Sequence, residues 1–205
     1  MRIINQSWEW VQKPVMPLEI IEMAGRTCYK SEGLITKDSS EKFVRMILKR
    51  GHNSVIEHVS ASVRFITNRG VTHELVRHRL CAFSQESTRY VNYWGSDIQF
   101  IRPVWAPAVA DCVDRYDPII EWEEAMERAE KSYKRLIDDG WRPEQAREVL
   151  PNSLKTEIVV TANLREWRHI FRLRTSKAAH PQMGSLMLDC LAGFKNAIPV
   201  LFDDI

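Results

Sequence analysis

Between residues 40 and 65 the spacing of apolar side chains changes from helical to alternating. A chain with both periods needs a fold that packs helices on a sheet. Phe43, Val44, Ile47 and Leu48 mark one helix face, behind the capping run Asp38-Ser39-Ser40-Glu41 and ahead of Gly51. Val59, Ala61, Val63 and Phe65 then alternate with Ser60, Ser62 and Arg64, the pattern of a half-buried strand. Asn68-Arg69-Gly70 reads as a turn, residues 71–79 as a short helix, and the polar run from there to Tyr90 as irregular. Further helices are expected over 17–28, from Asp117-Pro118 to Gly140, from Pro143 to Pro151, and over 164–175 and 182–196. Residues 98–104 and Ile158-Val159-Val160 are further strand candidates. With no Gly/Ser-rich linker, repeat or low-complexity tract, residues 1–205 read as one compact α+β domain.

Charge narrows the function classes. The formal net charge of +2 is too small for a general nucleic-acid binder. Arginines nevertheless gather at 77, 79 and 89, and again at 165, 168, 172 and 174. Guanidinium groups beside Asn, Gln and aromatic residues suit small phosphorylated ligands, which they grip in a two-pronged geometry. The plainer alternative for each run is a solvated helix face. No apolar run approaches the ~18 residues of a membrane span. No leader segment follows Met1, so a cytoplasmic protein is expected. Cys28, Cys81, Cys112 and Cys190 include no Cys-x-x-Cys pair, which points to reduced, core-type cysteines.

The stretch His73 to Tyr90 carries the chemistry. His73-Glu74 followed by His78 invites a zinc-protease reading, but that motif needs histidines four apart on one helix face. Five apart, they diverge by roughly 140° on a helix, so no metal is expected. On a helix Arg77 and Arg79 diverge by roughly 200°, enough to face two ligands or two copies of a site. Gln85, Ser87 and Thr88 add the neutral donors and acceptors that read a base or a ribose, and Arg89 adds a further anion contact.

Arg77-His78-Arg79, seven residues and then Ser87 resembles the signature of the flavin-dependent thymidylate synthases, the ThyX family. The flanking His73-Glu74-Leu75-Val76 and Arg89-Tyr90 resemble that family too. So do Gly51-His52-Asn53-Ser54 with Glu57-His58, Arg147-Glu148-Val149-Leu150-Pro151, and Asn163-Leu164-Arg165 through His169 to Arg174, all in the family's order. The resemblance implies a single α+β domain, mainly antiparallel sheet packed with helices. It implies a homotetramer with FAD and dUMP stacked at subunit interfaces. It also implies NADPH as reductant and methylenetetrahydrofolate as carbon donor. Carried over by position, the FAD contacts are Ser54, Arg77, His78, Arg79, Gln85, Asn163, Leu164, Arg165 and His169. The dUMP contacts are Glu74, Leu75, Val76, Arg77, Gln85, Glu86, Ser87, Thr88, Arg89, Arg147 and Arg174. Ser84-Gln85 stands where many members have Asn-Glu, and His169 where some have Asn; each keeps a hydrogen-bonding side chain.

The resemblance also implies activation without a cysteine nucleophile, since Cys81 occupies a variable place in the signature. A fixed cation at the uracil imide would stabilise negative charge developing on the ring. Arg174 matches the residue given that task, and its guanidinium stays protonated at any working pH. Ser87 lacks an evident base and is read as a hydrogen-bonding group rather than a nucleophile. Three alternatives stand at this point: the same fold leaving a hydroxymethyl group or acting on another nucleotide, a non-catalytic nucleotide- or RNA-binding module, and a folded but inactive family member, which the retained arginines at 77, 79, 89, 147 and 174 count against.

Overall fold

The computed structural model describes residues 1–106 and 118–205. Strands β1 (Arg2–Ile4) and β2 (Ser7–Gln12) lead into helix α1 (Pro17–Cys28), with Pro17 in its first turn. Helix α2 (Ser40–Arg50) ends at Gly51, whose φ of 70° is the left-handed conformation glycine adopts without a Cβ penalty. A 3-10 turn, Asn53–His58, precedes strand β3 (Ser60–Asn68), so the change of period falls where the sequence puts it.

The expected turn at 68–70 is instead the start of helix α3 (Arg69–Leu75). Asn68 Oδ1 accepts the Val71 N–H at 2.8 Å and caps the helix. Asn and Gly serve caps and turns alike, which is why the sequence did not separate them. Helix α3 stops at Leu75 rather than near Arg79, so His78 shares no helix with His73, and Arg77 and Arg79 lie on neither helix nor strand. Strand β4 (Ala82–Gln85) replaces part of the expected irregular run. It is an edge strand whose residues alternate between exposed and half-buried, so it shows no apolar signature.

Strand β5 (Gln99–Ile101) is shorter than the expected 98–104 and pairs in parallel with β1. Helix α4 (Pro118–Asp138) follows; Asp117 and Cys112 lie outside the described residues. Helix α5 (Pro143–Ala146) continues into a 3-10 turn, Arg147–Val149. Strand β6 (Lys155–Asn163) extends well beyond 158–160. Helices α6 (Leu164–Arg174), α7 (Pro181–Ala197) and α8 (Pro199–Phe202) complete the chain.

The larger sheet has the order β2-β3-β6-β4. Contacts Val59–Leu164, Ser62–Thr161 and Arg69–Leu154 descend one strand as they climb the other, so β3 and β6 run antiparallel. The mixed α+β class with antiparallel pairing at its centre agrees with expectation; the parallel β1–β5 pair was not foreseen.

The chain divides into two compact units. Unit 1 comprises Met1–Ser7, Phe65–Arg77 and Ser84–Ile158. Its core joins Ile98, Phe100, Met126, Tyr133, Ala146 and Leu154, so α4 presents its apolar stripe to β5 and the start of β6. Unit 2 comprises Trp8–Arg64, His78–Phe83 and Val159–Ile205. Here Trp167, Phe171, Phe194 and Phe202 pack with ring centroids 5.0–5.8 Å apart. This aromatic core anchors α6, which matters because α6 carries half of the expected site residues of this unit. At Gly193 on α7 an added Cβ would fall 2.2 Å from the Trp8 ring, so only glycine admits that indole.

Candidate active site

The residues expected to meet dUMP belong, except for Arg174, to unit 1. Leu75 is fully buried and Val76 exposed; only the backbone of Leu75 could meet a ligand. Arg77 is exposed just beyond α3, and Glu74 is half-buried. Gln85 is held by its amide nitrogen, which donates to Thr72 Oγ1 at 2.9 Å and Thr156 Oγ1 at 3.2 Å. Both threonines are fully buried, so the carboxamide plane is fixed from behind. Glu86 is engaged by the protein: it accepts from Tyr93 Oη at 2.7 Å and Lys155 Nζ at 3.1 Å. Burial, then the bond to Glu86, pushes the Tyr93 phenol up and keeps it protonated as donor. Ser87 carries a tight turn, its Oγ accepting the Arg89 N–H at 3.3 Å, and Arg89 is exposed over the Tyr90 ring.

Thr88 and Arg147 meet directly: Arg147 Nη1 donates to Thr88 Oγ1 at 3.2 Å. They line a cavity of about 250 Å³ together with Arg69, His73, Asn152 and Leu154. Arg69 Nη1 is buried there with no hydrogen-bond partner among the described residues. A buried guanidinium nitrogen left without a partner carries a desolvation cost that an incoming anion would offset. Arg69 is not among the residues the sequence marks for a site, because it lies in a run that reads as a turn. Its signal was a basic residue directly after a half-buried strand.

Unit 2 holds the other group. Asn163 Oδ1 accepts the Glu166 N–H at 2.8 Å and caps α6, and the Leu164 N–H bonds Val59 O, which ties the helix start to the sheet. The buried Leu164 side chain leaves only its backbone for a ligand. Arg165 pairs with Glu57 of the 3-10 turn that also carries the exposed Ser54. Arg79 and His169 are exposed. Of the arginines grouped at 165–174, Arg168 is buried and grips Asp204 with two nitrogens at 2.7 and 2.6 Å, and Arg172 bonds the same carboxylate at 2.9 Å. Those two fasten the chain end to α6 and are structural.

His78 is buried, and Arg174 Nε donates to its Nε2 at 3.0 Å. Its Nδ1 lies 3.6 Å from Glu166 Oε1, and its ring centroid 5.8 Å from that of His169. Burial, then the Arg174 and His169 charges, depress the imidazole to about 4, so it is neutral at physiological pH and its approach to Glu166 is not an ion pair. Glu166 was not among the sequence candidates.

His78, Glu166 and His169 offer ligand atoms within 4.8 Å of one another, a spacing open to a metal ion. The Arg174 N–H already occupies the His78 Nε2 lone pair, and its guanidinium charge lies beside any incoming cation. Cys81 is pushed up to about 12 by burial and the Glu166 charge, and burial in the core, then the Asp189 charge, also pushes Cys190 well up. Neither is a thiolate nucleophile.

Among the described residues no helix is long and apolar enough to cross a membrane. The family model described as thymidylate synthase complementing protein matches residues 11–200. A flavin-dependent thymidylate synthase of Geobacter sulfurreducens is 33% identical over 92% of this chain and 82% of its own. The enzyme of the same name in Mycobacterium tuberculosis is 34% identical over 90% and 78%. In fold, the chain is similar to the crystal structure of the UMP/dUMP methylase PolB of Streptomyces cacaoi bound with 5-Br dUMP. That match has a TM-score of 0.83 and 23% identity, and covers 99% of this chain and 96% of the other. A family match over residues 11–200, with relatives a third identical over nine-tenths of the chain, leads to one family: the chain belongs to the flavin-dependent thymidylate synthases.

Proposed function

We propose that this chain, residues 1–205 as one catalytic domain, methylates dUMP to dTMP, with methylenetetrahydrofolate as carbon donor and FAD reduced by NADPH. A cytoplasmic homotetramer with dUMP and FAD at its subunit interfaces is part of the same reading. The observation that carries it is Arg174, whose Nε is pinned on a buried neutral histidine. A cation fixed before substrate arrives need not reorganise as charge develops, which is what imide activation requires.

The donor set fits both ligands. Ser54, Arg79, Arg165 and His169 are exposed in unit 2, and Asn163 marks the start of the same helix; these are cations and hydrogen-bonding groups suited to a pyrophosphate and a flavin ring edge. When bound, the flavin supplies the reducing equivalents that turn a transferred one-carbon unit into a methyl group. In unit 1, Arg147, Thr88, Arg69 and Arg89 would grip the nucleotide phosphate. Gln85, with its amide nitrogen already anchored, presents its carbonyl oxygen to the base or the flavin. Glu86 holds Tyr93 and Lys155 and so shapes the wall behind them. Arg174 would face the uracil imide and Ser87 would hydrogen-bond the nucleotide.

The test is an absorption spectrum of the purified protein with and without dUMP, followed by product mass from dUMP, methylenetetrahydrofolate and NADPH. Flavin bands perturbed by dUMP and a product heavier by one methyl group are expected. A protein that takes up no flavin, or a product heavier by a hydroxymethyl group, overturns the reading.

A further inference from the structure

We infer that Glu166 is a positioning residue: it selects the His78 tautomer that holds Arg174 Nε, and so aims the guanidinium. The inference rests on the proposed role of Arg174, but its first consequence is independent of turnover.

The argument begins with proton counting. Arg174 Nε carries one hydrogen and no lone pair, so in the 3.0 Å contact it donates and His78 Nε2 accepts. A neutral imidazole has one N–H; with Nε2 accepting, the proton sits on Nδ1. Nδ1 is the nitrogen 3.6 Å from Glu166 Oε1. In the other tautomer an Nε2–H would meet the Arg174 Nε–H, and the Nδ1 lone pair would face carboxylate lone pairs. Both contacts would be repulsive, and in a buried site they are weakly screened. The carboxylate therefore biases the tautomer from a distance longer than a hydrogen bond.

Glu166 is itself held for this task. It is 7% exposed, lies in the first turn of α6, and has its N–H capped by Asn163 Oδ1. A negative charge is favoured at that end of a helix. The groups facing His78 from the elements around it are Glu166, His169 and Arg174 on α6, with Cys81 on its own segment facing Glu166. Among these Glu166 is the anionic acceptor nearest Nδ1, at 3.6 Å, since Arg174 is a cation already committed to Nε2 and His169 meets the ring edge to face at 5.8 Å between centroids. A carboxylate with nothing to orient would have little reason to be buried against a neutral ring.

Nitrogen-detected NMR on histidine-labelled protein, with His78 assigned through His78→Asn, tests this directly. In the resting wild type Nδ1 should be protonated and Nε2 bare. Glu166→Ala should shift His78 toward the Nε2–H form and lower kcat by roughly tenfold or more, with the KM for dUMP little changed. Glu166→Gln, which keeps an accepting oxygen, should preserve the tautomer and most of the kcat. An Nε2–H tautomer in wild type overturns the inference even if no variant folds. So does an unchanged tautomer in Glu166→Ala, or stoichiometric zinc binding that moves the His78 and His169 resonances together. A Glu166-dependent tautomer in a protein that cannot methylate dUMP would sustain the tautomer assignment while removing the proposed function.

Discussion

The arginines grouped on α6 and those lining the unit 1 cavity, Arg69 and Arg147, are satisfied in opposite ways. In unit 2 they meet partners inside the protein: Arg168 and Arg172 close on Asp204, Arg165 on Glu57, and Arg174 on His78. In unit 1, among the described residues, Arg147 reaches only a threonine hydroxyl and a distant carboxylate at 3.9 Å, and Arg69 keeps a buried nitrogen without a hydrogen-bond partner. A cation supplied with protein acceptors is preorganised, which suits holding a group in place. A cation left short of acceptors suits receiving an anion. On the proposed function the same residue type would build an orienting network in one unit and a phosphate-type receptor in the other.

The sharpest break comes from Arg174→Ala. If unit 2 is the orienting half, turnover should fall by about 10²–10³-fold, the usual cost of removing a preorganised charge-stabilising donor. FAD content should stay near wild type, and equal loss of both would strip Arg174 of its special role. Next is the pH dependence of His78. Its folded-state value near 4 lies below the unfolded 6.5, so between those pH values the unfolded chain takes up a proton that the folded chain refuses. Stability present above pH 6.5 is then lost as pH falls toward 4, by on the order of 3 kcal/mol. Denaturant titrations at pH 7 and pH 4.5 would measure it. His78→Asn should flatten this part of the profile, and an unchanged slope would mean the ring is not buried neutral.

In unit 1 the expectation runs the other way. Arg69→Met should weaken dUMP binding by about 10–100-fold, the equivalent of one lost charge-assisted hydrogen bond. Thermal stability without ligand should hold or rise, because a buried unpartnered nitrogen goes with it. Loss of stability with intact binding would make Arg69 structural. Inorganic phosphate should raise the melting temperature of wild type and do so less for the variant.

What the sequence made legible divides along the same line. Helices α1, α2, α4, α6 and α7 follow from apolar period and punctuation, because each buries one stripe between a cap or proline and a glycine or polar end. Strands β1, β2 and β4 escaped because three to six exposed or half-buried residues at a sheet edge carry too little apolar pattern. Family resemblance supplied site residues that spacing could not: His78 and Arg174 are 96 positions apart and meet at 3.0 Å. Neither route found Arg69 or Glu166. Each matters through one partner, missing or present, that only three-dimensional packing defines. Arg168 and Arg172 teach the converse, since a run that looked like a ligand site spends half its charge on the chain's own Asp204.

Asp204→Asn separates the orienting network from the fastening beside it. It should cost about 1–2 kcal/mol of stability, less than a fully buried pair because Asp204 is half exposed, and should leave kcat unchanged. Its carboxyl is held below the ordinary range chiefly by the Arg168 bond. The wild-type contribution is therefore present above the unfolded value and lost as pH falls through the folded one. A drop in kcat without loss of stability would mean the chain end reaches the chemistry through α6.

The smallest effect is expected at Ser87, where the two ways of using a polar group can be told apart. Among the described residues its hydroxyl engages the Arg89 N–H and no base. A serine without an adjacent base is a poor nucleophile. The same hydroxyl can shape the turn that presents Arg89 and still give one hydrogen bond to a nucleotide. Ser87→Ala should therefore weaken dUMP binding by about fivefold, near 1 kcal/mol, and leave turnover at saturating dUMP within a few-fold of wild type. Flavin uptake, for which Ser87 is not among the expected contacts, should not move. Abolished turnover with dUMP affinity intact would place Ser87 among the reacting groups. The receptor in unit 1 would then perform chemistry as well as binding, and the division of labour drawn between the units would fail at that residue.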